Sequence, residues 1–251
     1  MAASLTTADA RTWTERPPFP PGEPPSSADA EAVLAYEQAA ADALGTLTDT
    51  RRARPEVDSV TYHWALSFYG EYALDSLLAD CHAALADSGL ELVPRDRMYL
   101  PLLRIGAAED LAEGELARVE WKCRDWAAEE EQFKVHLGPP QLGPGGVRLS
   151  ISPWTDLIAT RHSLRRTTRE VLGLRGPWLR ERVAYRPHVP IAYATGPTPA
   201  AEIRERLAGM PAHRPVTLRV RRVTLLRLTR GPAGTRWFTA ADMALGSRAG
   251  F

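Results

Sequence analysis

Cysteine is scarce: the chain has two, Cys81 and Cys123, and their spacing fits no common metal motif. Each falls in a stretch of helical period, where a small buried residue is the expectation. A reducing, cytoplasmic setting suits them. Net charge is missing as well, since 31 Lys and Arg offset 31 Asp and Glu. Non-specific nucleic-acid binding draws on a surplus of positive charge facing phosphates, so an RNA partner would need a local patch. The charges do segregate, acidic residues at 109–131 and arginines at 161–186 and 219–230. The plainer reading of each run is a solvated face. No run approaches the roughly 20 apolar residues of a membrane span, and the N-terminus lacks the cationic-then-apolar order of a signal peptide. Gly-x-Gly-x-x-Gly, Walker, His-Glu-x-x-His and Gly-x-Ser-x-Gly motifs are also absent, which leaves neither a metal nor a cofactor to be expected.

What is present is ordinary for a folded domain, 44% apolar and 25% charged over 251 residues. Residues 1–28 read as a flexible proline-rich tail ahead of a domain at 29–251. Arg16-Pro17-Pro18-Phe19-Pro20-Pro21-Gly22-Glu23-Pro24-Pro25 cannot form a helix or central strand, because proline lacks the amide hydrogen and fixes φ. A passive extension is the simplest reading. Docking to an aromatic groove is the alternative, and Trp13 is a residue that could pin the tail to the body. Ser27 or Asp29 caps a helix running to about Leu44. Val60 to Tyr69 is a strand, with Tyr62, Trp64, Leu66 and Phe68 on one face and His63, Ala65, Ser67 and Tyr69 on the other. Helices follow at 72–88 and 108–131, strands at 133–137 and 147–151 around a Gly138-Pro139-Pro140 turn, and a basic helix at 157–172. A helix near 199–208 and strands at 216–229 and 235–238 end the order. Helices and strands mix without a steady βαβ beat, which predicts an α+β fold.

Two stretches echo one another, Arg97-Met98-Tyr99-Leu100-Pro101-Leu102-Leu103-Arg104-Ile105-Gly106 and Tyr185-Arg186-Pro187-His188-Val189-Pro190-Ile191-Ala192-Tyr193. Aligned, they set Tyr99 against His188 and Pro101 against Pro190. The pair resembles the twin His-x-Ser/Thr signature of the two-histidine phosphoesterases, the 2'-5' RNA ligase-like superfamily. The order of elements from Trp64 to about Leu245 resembles that family as well. The resemblance implies a bilobal fold, two small antiparallel sheets around a central cleft with helices outside. In the family, one histidine is general base and the other general acid on a 2',3'-cyclic phosphate or 2',5' linkage, and the Ser or Thr two residues on bonds the phosphate oxygens. The spacing has a mechanical reason, since residues i and i+2 of a strand point to one face.

Of these four groups the chain keeps His188. A phenol such as that of Tyr99, with an ordinary pKa near 10, donates a proton but is a poor base at neutral pH. Pro101 and Pro190 offer no donor. Losing an oxyanion donor costs roughly 3–4 kcal/mol of transition-state stabilisation, and losing an acid–base group roughly 10²–10⁴ in rate. Arg104, Arg148 and Arg186 are the candidates to compensate. The prolines make a stiffer, more apolar pocket, flanked by Tyr62, Trp64, Tyr99 and Tyr193, that suits a small organic or nucleotide-like ligand. Three functions are weighed. One is a diverged member whose cleft binds or transforms such a ligand with His188 and Tyr99. Another is a residual 2',3'-cyclic phosphodiesterase, and the third a scaffold docking through its tail. The plainer alternative for His188 is a buried histidine holding one backbone hydrogen bond, and for Tyr99 an aromatic core residue.

Overall fold

A computed structural model describes residues 18–50, 60–176, 185–231 and 234–247. Local chemistry sets the helix ends. Asp29 precedes α1 (Ala30–Asp42) and accepts the Ala32 amide at 3.0 Å, satisfying one of the donors a helix start leaves open. A two-residue β1 (Thr46–Leu47) comes before β2 (Val60–Ser67), α2 (Asp75–Leu85), β3 (Leu90–Leu92) and β4 (Tyr99–Ala107). The acidic run at 108–131 becomes helical only from Glu115. Gly114 there has φ 73, the left-handed region glycine tolerates, and it breaks the helix from the short turn before it. Next come α3 (Glu115–Glu129), β5 (Phe133–Gly143), β6 (Gly146–Ser152) and α4 (Thr155–Leu172), closed by Gly173 at φ 62. The chain continues with β7 (Val189–Ala194), β8 (Thr198–Pro199), α5 (Ala200–Ala208), β9 (Val216–Val220), β10 (Arg222–Gly231) and β11 (Gly234–Ala244).

These strands form two main antiparallel sheets, ordered β11-β10-β2-β4 and β3-β7-β6-β5-β9, with β1 and β8 as a short separate ribbon. The α+β, two-sheet expectation therefore holds. α3 and α4 pack on one face of the four-stranded sheet, while α2 and α5 pack beside the five-stranded one. Leu100, Leu102 and Leu225 from the first sheet and Val147, Leu149 and Ile151 from the second join one continuous buried core. Cys81 and Cys123 are free and buried in it, and burial pushes both thiols up to about 12.

Two local readings need correcting. Gly138-Pro139-Pro140 is not a turn but an irregular point inside β5, where the register with β6 shifts between Leu137 and Pro140. The other neighbour, β9, pairs only Phe133 to Leu137, so the prolines sit where one side of the strand has no ladder to feed. The single strand expected at 216–229 is two: β9 belongs to the five-stranded sheet and β10 to the four-stranded one, and the chain crosses between sheets at Arg221. The strand expected at 235–238 extends over all of β11.

Candidate functional site

Tyr99 and His188 lie on different sheets. Tyr99 opens β4, half-buried, with Ser67 of β2 as its cross-strand partner. His188 directly precedes β7. The two strands adjoin, and the junction is tied by side chains: the Tyr185 hydroxyl donates to the Pro101 carbonyl at 2.7 Å, and Arg161 Nε donates to the Leu102 carbonyl at 2.9 Å. The Arg161 guanidinium also lies 4.9 Å from the Tyr185 ring centre.

On the Tyr99 side the register puts Pro101 opposite Ala65 and Arg104 opposite His63. Cross-strand partners share a face, and this face is the one away from α3 and α4. The Trp237 indole crosses it, edge-on to Tyr99 with ring centres 6.2 Å apart, and donates to the Arg97 carbonyl at 2.9 Å. Beside this pair opens a cavity of about 300 Å³ lined by Ser67, Tyr69, Thr224, Trp237, Phe238 and Asp242. A larger cavity, about 610 Å³, lies between α2 and α5 and has none of the expected site residues in its wall.

Two of the expected flanking aromatics are elsewhere. Trp64 is fully buried in the main core and donates its indole N–H to the Thr168 hydroxyl of α4 at 3.3 Å. Tyr62 packs against the same core. The reason is the alternation of β2: its aromatic face carries most apolar area, and that face turns to the helices. Tyr193 lies near the far end of β7, opposite Glu91 and Gly146.

On the other sheet, Pro190 stands opposite Arg148, so His188, Pro190 and Arg148 share one face of the β6–β7 pair. His188 Nδ1 lies 2.9 Å from the Arg186 carbonyl. A carbonyl only accepts, so Nδ1 carries the hydrogen and Nε2 holds the lone pair. Burial, and then the nearby Arg148 charge, push the imidazole down to about 4, against the raising effect of the Arg186 carbonyl. The residue is only half-buried, which tempers the size of that shift but not its direction; the ring is neutral at pH 7.

Arg148 and Arg186 are buried, and their partners come from the N-terminal part of the chain. Arg148 lies 3.4 Å from a carboxylate oxygen of Glu37 on α1, donates to the Phe19 carbonyl at 3.3 Å and stacks 4.7 Å from the Phe19 ring centre. Arg186 donates to the Gly22 carbonyl at 2.9 Å and sits within 6 Å of both the Tyr36 and Trp154 rings, at 5.8 and 5.9 Å. The Tyr36 hydroxyl reaches the Pro20 and Pro21 carbonyls, each at 2.9 Å. α1 thus covers the polar face of the five-stranded sheet, while Gln38 accepts from Gln141 at 2.8 Å. Of the tail expected over 1–28, the part described, 18–28, is not a loose extension. It is extended and held on the body because its carbonyls satisfy buried guanidiniums. The suggested Trp13 anchor lies outside the described residues.

Sequence reasoning missed Glu37, Ser150, Phe19, Tyr36 and Trp154. A signal for Glu37 was there. Val33, Glu37 and Ala41 recur at i, i+4, i+8, one helical face, and all three are buried. Among the described residues no group of three or more His, Cys, Asp and Glu side chains is placed to hold a metal ion, and no helix is long and apolar enough to cross a membrane.

Two sheets of this topology, joined at strands bearing Tyr99 and His188, are matched by a family model described as the 2'-5' RNA ligase superfamily, over residues 75–232, more than half of the chain. The chain belongs to the 2'-5' RNA ligase superfamily. Solved structures agree on the fold. The TT0787 protein of Thermus thermophilus aligns with TM-score 0.58 at 20% identity, covering 74% of this chain and 98% of that one. Escherichia coli LigT complexed with 3'-AMP aligns with TM-score 0.54 at 14% identity over 75% and 98% of the two chains. LigT complexed with NADP+ gives 0.53 at 14% identity over 75% and 99%. By sequence, no curated protein matches the chain. The superfamily match begins at Asp75, so α1 and the 18–28 segment lie ahead of it.

Proposed function

We propose that this superfamily member has diverged from phosphodiester hydrolysis and uses its cleft to engage a small organic or nucleotide-like molecule. The observation that carries this reading is the state of the cationic groups on the His188 face. Arg148 already faces Glu37 and Phe19, and Arg186 already serves Gly22, so neither is a free guanidinium awaiting a phosphate. Prolines stand where the family's signature has hydroxyls, and a phenol where it has a second imidazole. The aromatic-walled cavity beside Tyr99 and Trp237 offers stacking surface for a flat ring. LigT complexes with 3'-AMP and NADP+ make a nucleotide-like ligand the natural first class to screen. Phe19 to Gly22 is engaged internally, which weakens a docking role for the proline-rich stretch. Two free, buried cysteines favour a reducing cytoplasm.

One observation favours the second reading, a residual 2',3'-cyclic phosphodiesterase: the neutral His188 ring has its Nε2 lone pair available as a base. Reversion distinguishes the two. Tyr99→His with Pro101→Thr and Pro190→Thr restores an acid–base pair and two donors. Under the proposal it hydrolyses a 2',3'-cyclic nucleotide at least about tenfold faster than wild type. A wild type that outpaces this variant overturns the proposal.

A further inference from the structure

We propose that the Arg148 face of the five-stranded sheet is a binding site for a small oxyanion, phosphate or carboxylate, which the protein fills in cis with the Glu37 side chain. The donors come first. Arg148 and Ser150 project from β6 on the side of Pro190 and His188, and both are buried, as is Glu37. The closest approach of Glu37 to Arg148 is 3.4 Å, longer than the 2.7–2.9 Å of a good charge-assisted hydrogen bond. Arg148 Nε and Nη2 and Ser150 Oγ have no hydrogen-bond partner among the protein's own groups, and neither do the two carboxylate oxygens. Buried donors normally find partners. Here several converge on one carboxylate that satisfies none of them fully, so the site is roomier than its occupant.

The balance of charge points the same way. Arg148 and Arg186 are both buried, and Glu37 is the only carboxylate paired with either among the described residues. Arg186 is held by the Gly22 carbonyl and by rings, which carry no formal charge. Two guanidiniums against one carboxylate leave a positive charge in excess, and a buried guanidinium fork is the group best shaped for an oxyanion.

Finally, occupant and donors have different origins. Arg148 and Ser150 lie inside the residues 75–232 shared with the superfamily, whereas Glu37 lies ahead of them. The N-terminal part of the chain supplies an anion to a face that the common fold lines with donors.

The test is anion-dependent stability, so its outcome is independent of the turnover that tests the functional proposal. Thermal unfolding of the full chain is followed in sodium phosphate or sodium acetate, with sodium chloride holding ionic strength constant. Glu37→Ala is expected to melt below wild type and to regain roughly 5–10 °C at a hundredfold excess of the anion over its Kd. Wild type is expected to move by less than about 1 °C, because its site is taken. Glu37→Gln keeps the volume and removes the charge, and it gives the same rise should the alanine variant fail to fold. Response to phosphate alone, or to acetate alone, supports the proposal and identifies the oxyanion. Adding Arg148→Met to Glu37→Gln abolishes the rise. An equal rise in wild type, no anion-specific rise in either Glu37 variant, or a rise that survives Arg148→Met overturns it.

Discussion

At His188 the chemistry is set by one short contact and one nearby charge. The Arg186 carbonyl fixes the tautomer, and burial beside Arg148 keeps the ring neutral. Folding therefore lowers the imidazole from an ordinary 6.5 to about 4. A depressed native pKa contributes stability that is present above pH 6.5 and is lost as pH falls towards 4, where the unfolded chain binds the proton first. At 1.4 kcal/mol per pKa unit the full shift would be worth about 3 kcal/mol. Solvent reaching the half-buried residue reduces this to roughly 1–2 kcal/mol. Denaturant unfolding of wild type and His188→Gln between pH 7 and pH 4 checks it. The glutamine amide can still donate to a carbonyl but does not titrate, so wild type should lose about 1–2 kcal/mol more over that range. Parallel pH profiles would show that His188 is not held neutral by the fold.

α1 and the segment before it are the element whose placement the sequence did not disclose. The cap at Asp29 and the helical period were legible, and the helix lies where they put it. That it covers the His188 face, and not an outer surface, depends on partners more than a hundred residues away, Gln141, Arg148 and Arg186. No local pattern encodes those pairings. A proline-rich stretch carries no hydrogen-bond period of its own, so its carbonyls read as solvated until the guanidiniums that use them are known. Removing residues 18–28 takes away the Phe19 and Gly22 carbonyls and the Ser27 carbonyl that accepts the Trp154 and Thr155 amides. Hydrogen bonds to charged groups are worth about 1.5–3 kcal/mol each. A chain beginning at residue 29 should accordingly melt roughly 5–10 °C below one beginning at residue 18. Equal melting temperatures would mean that these contacts contribute nothing to stability.

At the scale of the whole molecule, the two-sheet plan was legible because each half announces itself by period and by its echoing Tyr99 and His188 strands. Which face of each strand looks inward was less so. Trp64 and Tyr62 read equally well as pocket walls or core, and the area they bury against α3 and α4 decided for the core. The crossing from β9 to β10 at Arg221 was hidden because both strands share one alternation. What emerges is a 2'-5' RNA ligase superfamily fold in which one catalytic position of the signature is a tyrosine, both hydroxyl positions are prolines and the adjacent guanidiniums are engaged from within. The most direct measurement is turnover of a 2',3'-cyclic nucleotide by wild type and by His188→Ala, at enzyme concentrations high enough to detect slow hydrolysis. The account predicts rates near background for both, differing by less than about twofold, since a lone neutral base without oxyanion donors supplies little of the barrier reduction. Robust wild-type turnover that falls by roughly 10² or more in His188→Ala would contradict it.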